Sequence, residues 1–177
     1  MTDDTFLPRR ALMAGGLSGL AGAALAGGAA AAAEGADALE DIRFVHVYTA
    51  TVLVGPMQVL GPHHGGVQRL IPILGGRFHG PRISGEVLAG GADWNLARND
   101  GATSVEASYF MRTDDGVTFR IVNDGVNPAT PIPGRPRFTH PVFDVPAGPH
   151  DWLNKGMFVG TLRPGVGQVV IGVYQLV

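Results

Sequence analysis

Three Asp-Gly pairs, Asp100-Gly101, Asp115-Gly116 and Asp124-Gly125, punctuate the second half of the chain, each between apolar or alternating runs. Asp-Gly is a strong hairpin signal, because a tight turn between twisted strands needs positive φ at its centre. The runs Val105 to Thr113 and Val117 to Val122, on either side of the second pair, alternate over much of their length. Such alternation marks a strand with one wet face. Runs of the same kind are Ile42 to Thr49, Gln68 to Leu74, Arg82 to Leu88, Trp94 to Arg98, Met157 to Leu162 and Val169 to Val177. Short strands at even spacing predict an all-β domain, a sandwich or barrel of about eight strands. Composition agrees. The chain carries 27 Gly and 13 Pro in 177 residues, and charged residues are 16%, too few for a helical bundle. A hydrophobic share of 45% argues against disorder.

Charge and cysteine content exclude whole classes of function. A formal charge of −2 leaves no basic stripe for nucleic acid. With no Cys there is no disulfide, thiolate nucleophile or Cys-ligated metal. Residues 1–33 read as an export signal, with Arg9-Arg10 ahead of an Ala- and Gly-rich run and Ala31-Ala32-Ala33 as a cleavage site. The run is less apolar than a spanning helix needs, so the twin-arginine route to the periplasm is expected, with no stable membrane insertion after cleavage. Residues 34–177 then form one β-domain, whose oligomeric state the sequence leaves open.

One region breaks the strand rhythm. Asn127 to Pro149 holds Pro128, Pro131, Pro133, Pro136, Pro141, Pro146 and Pro149, and each Pro lacks a donor for a ladder. It is expected to be a long loop, a lid or a strap, with at most one edge strand from Arg137 to Phe143.

Four strings carry a family likeness: Ile71 to Arg82 (IPILGGRFHGPR), Gly85 to Trp94 (GEVLAGGADW), Thr113-Asp114-Asp115-Gly116, and Trp152-Leu153-Asn154 with Phe158-Val159-Gly160. In this order and spacing the chain, from about Phe44 to Val177, resembles the domain-of-unknown-function 3237 family. The resemblance implies a single lipocalin-like antiparallel β-barrel and says little about chemistry. Asn127 to Arg135 is the least typical stretch.

Asp93 is the first candidate for catalysis. It follows Gly90-Gly91 and precedes Trp94, and a carboxylate desolvated by an aromatic neighbour can act as acid or base. It could equally accept backbone N–H groups in the Gly-rich turn. Tyr109 shares a face with Ala107 and Met111, offering an O–H to an apolar cavity, or a core Tyr bonded to a carbonyl. Arg82, Ser84 and Glu86 alternate along their run, so Arg82 either anchors an anion or belongs to a solvated row. Trp94, His46, Trp152 and Asn154 complete the candidate ligand-binding set. His46 would share a face with Tyr48, and Trp152 with Asn154 would make an aromatic plate beside an amide. The six His residues show no ligand spacing, so no metal site is expected. No phosphate loop, nucleophile elbow or dinucleotide motif is present, and no cofactor is expected.

Two functions fit this pattern. One is a cofactor-independent lyase, isomerase or cyclase that moves protons on a small apolar or aromatic compound. The other is a carrier of such a compound.

Overall fold

The structure is a computed structural model, described over residues 42–177; the expected leader, residues 1–33, lies outside the described residues. Ten strands follow in order: β1 (Phe44–Val54), β2 (Gln58–His63), β3 (Gly66–His79), β4 (Gly85–Val87), β5 (Ala92–Arg98), β6 (Thr103–Thr113), β7 (Thr118–Asn127), β8 (Arg137–Asp144), β9 (Phe158–Gly165) and β10 (Gln168–Leu176). All pairings between them are antiparallel.

These ten segments occupy eight positions around a closed barrel. β1 and β2 lie in succession along one edge of β3, broken at Gly55-Pro56-Met57. β4 and β5 lie in succession between β3 and β6. Pairing of β1 with both β10 and β3 closes the ring. Closure removes most exposed strand edges from an all-β chain.

The turn chemistry is met at two of the three Asp-Gly pairs. Gly101 and Gly116 take φ of 83° and 89° between β5 and β6 and between β6 and β7. Asp124-Gly125 is not a turn, contrary to the sequence reading. It lies inside β7, with Asp124 opposite Glu106 and Gly125 opposite Val105. Gly is needed there for space, since a Cβ would stand 2.7 Å from the Phe138 carbonyl oxygen.

The Pro-rich stretch also departs from expectation. Residues 128–136 form the connection at one end, but β8 belongs to the closed wall and not to a free edge. Its first half, Arg137 to Thr139, pairs β9, and its second half, His140 to Asp144, pairs β7. Each half therefore lacks one ladder, a setting that tolerates Pro141.

The interior is filled at one end only. Phe78, Phe119, Phe143 and Phe158 interlock with Tyr48 through tilted and edge-on contacts, with ring centroids 5.0 to 6.4 Å apart. Each buried ring contributes about 1.5–3 kcal/mol through apolar burial. A short 3₁₀ turn, Asp151–Asn154, closes this floor and buries Leu153.

Candidate active site

Above the aromatic floor the barrel holds a cavity of about 220 Å³. Its lining divides by strand. β1, β3, β9 and β10 supply Val52, Val54, Ile71, Ile73, Leu162, Val169 and Ile171. The contiguous strands β5 to β8 supply Asp93, Asn95, Tyr109, Asn123, Asn127, Arg137 and Thr139. One wall is hydrocarbon, and the facing wall carries the polar groups.

Strand alternation places each of these inward. Asp93 pairs Ala107, which pairs Asn123, so the three lie on one row across β5, β6 and β7. Tyr109 stands one inward step closer to the floor, and Asn95 one step nearer the mouth. Asn127 and Arg137 flank residues 128–136, so both ends of the Pro-rich connection sit at the rim.

The carboxyl of Asp93 opens the barrel wall locally. Pairing between β5 and β6 skips Trp94-Asn95 and Val105-Glu106, and the Glu106 N–H donates instead to Asp93 Oδ1 at 3.1 Å. Burial pushes the Asp93 carboxyl above the usual carboxylate range. The Glu106 N–H and the Asn95 side chain pull it partly back, while the Glu106 charge pushes it up again. Tyr109 is buried, and desolvation drives its phenol far above its ordinary value, so it remains a protonated donor. Its hydroxyl has no hydrogen-bond partner among the described residues.

Four further polar atoms on this wall are buried without partners: Asn95 Oδ1, Asn123 Oδ1, Asn127 Oδ1 and Thr139 Oγ1. Natural interiors rarely leave such groups unmet, since each costs about 1–3 kcal/mol. They are concentrated around one cavity, which they supply with hydrogen-bonding atoms that the protein's own groups leave unmet.

The other five sequence candidates stand outside the cavity. Trp94 follows Asp93 and so points outward, 46% exposed. A bulge between His46 and Tyr48 resets the face of β1. Val47 and Tyr48 are thereby both buried, and His46 is left against Tyr174 with a ring separation of 5.4 Å. Arg82 precedes β4 and shares no strand face with Glu86. Its guanidinium lies 3.8 Å over the Trp152 ring, while Glu86 pairs Arg112. Trp152 packs on Phe158 at the floor, at 6.3 Å. Asn154 ties the Val145 backbone, accepting from its N–H at 2.9 Å and donating to its carbonyl at 2.8 Å. These last three build the closed end.

The residues that sequence reasoning missed are Asn95, Asn123, Asn127, Arg137 and Thr139. Their signal was polar identity at inward parity: Asn123 follows Phe119 and Ile121 by twos, and Asn95 follows Asp93. Treating Asp124-Gly125 as a turn hid the continuation of β7 to Asn127.

The fold is a closed antiparallel β-barrel with a half-polar internal cavity. The chain belongs to the family described as Protein of unknown function (DUF3237), whose model matches residues 42–176. The UPF0311 protein RPA1785 of Rhodopseudomonas palustris is 33% identical over 144 residues, covering 74% of this chain and 94% of that protein. Its crystal structure superposes with a TM-score of 0.70, covering 77% of this chain and 98% of that one. A β-barrel-like protein from Acinetobacter baumannii, 24% identical, gives a TM-score of 0.69 over 77% of this chain and 96% of its own. The hydroalkoxylation enzyme phnH of Penicillium herquei is 24% identical over 115 residues, covering 65% of this chain and 70% of that enzyme.

Proposed function

We propose that the protein is a cofactor-independent enzyme, a lyase, isomerase or cyclase that transfers protons on a small, largely apolar or aromatic compound held in the barrel. The observation that carries this reading is the largely buried Asp93 carboxyl, raised above the usual carboxylate range, in one cavity with the protonated Tyr109 hydroxyl. A carboxyl able to exchange a proton beside a phenol held neutral as a hydrogen-bond donor is an arrangement suited to acid/base catalysis. Asp93 takes a proton from carbon or oxygen of the substrate and returns it to the carbon or oxygen that completes the product, which restores the carboxylate. Tyr109 donates a hydrogen bond to the oxygen where charge develops, and the hydrocarbon wall keeps water out. The relative named as a hydroalkoxylation enzyme supports the reading at the level of reaction class, since addition of O–H across a double bond needs only such proton transfers.

A carrier would use the same cavity without turnover. The two part in one experiment: small aromatic compounds bearing a hydroxyl and a double bond are incubated with the protein at substrate excess in deuterated water. Many deuterated product molecules per protein, lost in Asp93→Asn, support the enzyme. Retention of unaltered compound at one per protein, with Asp93→Asn binding as before, supports the carrier instead.

A further inference from the structure

The polar wall carries a charge that the proposed reaction does not use. Arg137 occupies the inward parity of β8, with Thr139, Pro141 and Phe143 below it, and lines the cavity at its rim. On the opposite side of the ring, β3 alternation puts Arg69 on the face of Ile71 and Ile73, directly opposite Asn95 in β5. Arg69 Nε is buried without a partner, and its Nη1 reaches only the Met57 sulfur, at 3.8 Å. Neither guanidinium forms an ion pair with a carboxylate among the described residues. The nearby acids Glu106 and Asp124 are exposed on the outer face, the latter beside His140 at 3.6 Å. Arg137 is thus a cation at the cavity mouth with no ion-pair partner among the described residues, and the carboxyl that lines the cavity, Asp93, sits deeper on β5.

We infer that the substrate of the proposed reaction is an acid, hydrocarbon along one edge and oxygenated along the other, whose oxyanion seats on Arg137. The unpartnered amides and the Thr139 hydroxyl receive the oxygenated edge, and the wall of β1, β3, β9 and β10 receives the other. Asn127 lies four residues along β7 from Asn123, about 13 Å at the rise of a strand. That spacing sets the anion at the mouth, well apart from the reacting atoms beside Asp93 and Tyr109. A carboxylate or an acidic phenol or enol supplies the same oxyanion, and a guanidinium fork suits either. The anion also stays clear of the Asp93 carboxyl, which would otherwise repel it.

This inference rests on the proposed site but is tested by binding alone. Calorimetry would compare naphthoate with naphthamide, and nitrophenolate with nitroanisole, on the wild-type protein and on Arg137→Gln. Arg137 is exposed at the rim, so its replacement leaves the core untouched. The expected result is an anion preference of about tenfold in at least one pair, abolished in Arg137→Gln and retained in Arg163→Gln. Arg163 is an exposed, outward-facing cation on β9 and controls for general charge. The pair that shows the preference separates carboxylate from phenolate. Equal binding of acid and neutral partner, binding of neither, or a preference that survives Arg137→Gln overturns the inference. Asp93→Asn separates the two readings: anion preference without turnover in the wild type defeats the enzyme alone, and Asp93-dependent turnover without anion preference defeats the acid alone.

Discussion

The closed and open ends of the barrel are built from the same strands by opposite rules. At the floor, every inward position of β6, β7 and β8 is apolar or satisfied: Met111, Phe119, Ile121 and Phe143 pack ring against ring and side chain against side chain. A few residues nearer the mouth, the same strands turn Asn123, Asn127, Arg137 and Thr139 inward and leave most of them without partners. The contrast separates stability from function. The floor supplies apolar burial, and the upper half gives part of it up to polar atoms that the proposed function uses to hold a ligand. Real proteins break local rules at functional sites, and the break is where function is to be sought.

The largest effect should come from damage to the floor. Phe119→Ala removes a buried ring packed on Phe78 and Phe143, and should lower unfolding free energy by about 3–5 kcal/mol in urea titration. Turnover per folded molecule should change little. Loss of activity out of proportion to loss of fold would blur the division between the ends.

Asp93→Asn should do the reverse. Turnover should fall by about 10²–10⁴, the usual contribution of a positioned acid or base, while the fold survives. An acid whose folded pKa lies above its unfolded value holds more protons when folded, so its effect on stability worsens as pH rises between the two values. The Asn variant, which keeps an acceptor for the Glu106 N–H, should therefore gain thermal stability relative to wild type as pH rises through that window. A relative gain at low pH instead would contradict the burial of this carboxyl.

A smaller effect is expected at Thr139. Thr139→Val keeps shape but removes an unpartnered hydroxyl, and should be neutral or stabilising by about 0.5–1 kcal/mol in chemical denaturation. Ligand affinity should drop in the same variant. A marked destabilisation would mean that the hydroxyl has a structural partner.

The least effect is expected outside the barrel lining. Asp115 is held below the usual carboxylate range, first by the Thr113 hydroxyl and then by His150, whose Nε2 lies 2.9 Å from Oδ2. A depressed acid contributes stability above its unfolded pKa and loses it as pH falls through its folded value. Asp115→Asn should lower Tm slightly at neutral pH and converge with wild type in acid, with cavity binding unchanged throughout.

Much of the fold was legible because alternation and turn chemistry are local. The hairpin at Asp115-Gly116 and the strands on either side of it followed from residues within a few positions of one another. The bulge at His46 was not legible, since it inserts one residue without a Gly or Pro to mark it, and it moved His46 off the inner face. Asp124-Gly125 misled because Gly serves there for close approach of Phe138 and not for a turn. At the site, Asp93 and Tyr109 stood out as titratable groups beside apolar neighbours. Asn123 and Thr139 did not, because an inward amide or hydroxyl gains meaning only when the ring closes and leaves it unpartnered. Trp152 and Asn154 looked like a pocket wall, yet closure of the far end uses an aromatic plate and an amide equally well.

The central claim is that the upper half of the barrel keeps a carboxyl dry enough for proton transfer. Carbon-13 NMR titration of the aspartate side chains tests it most directly. Asp93 should titrate above the usual carboxylate range, with Asp100 and Asp115 below it. An Asp93 that titrates with those two, at or below the ordinary aspartate value, would contradict the account.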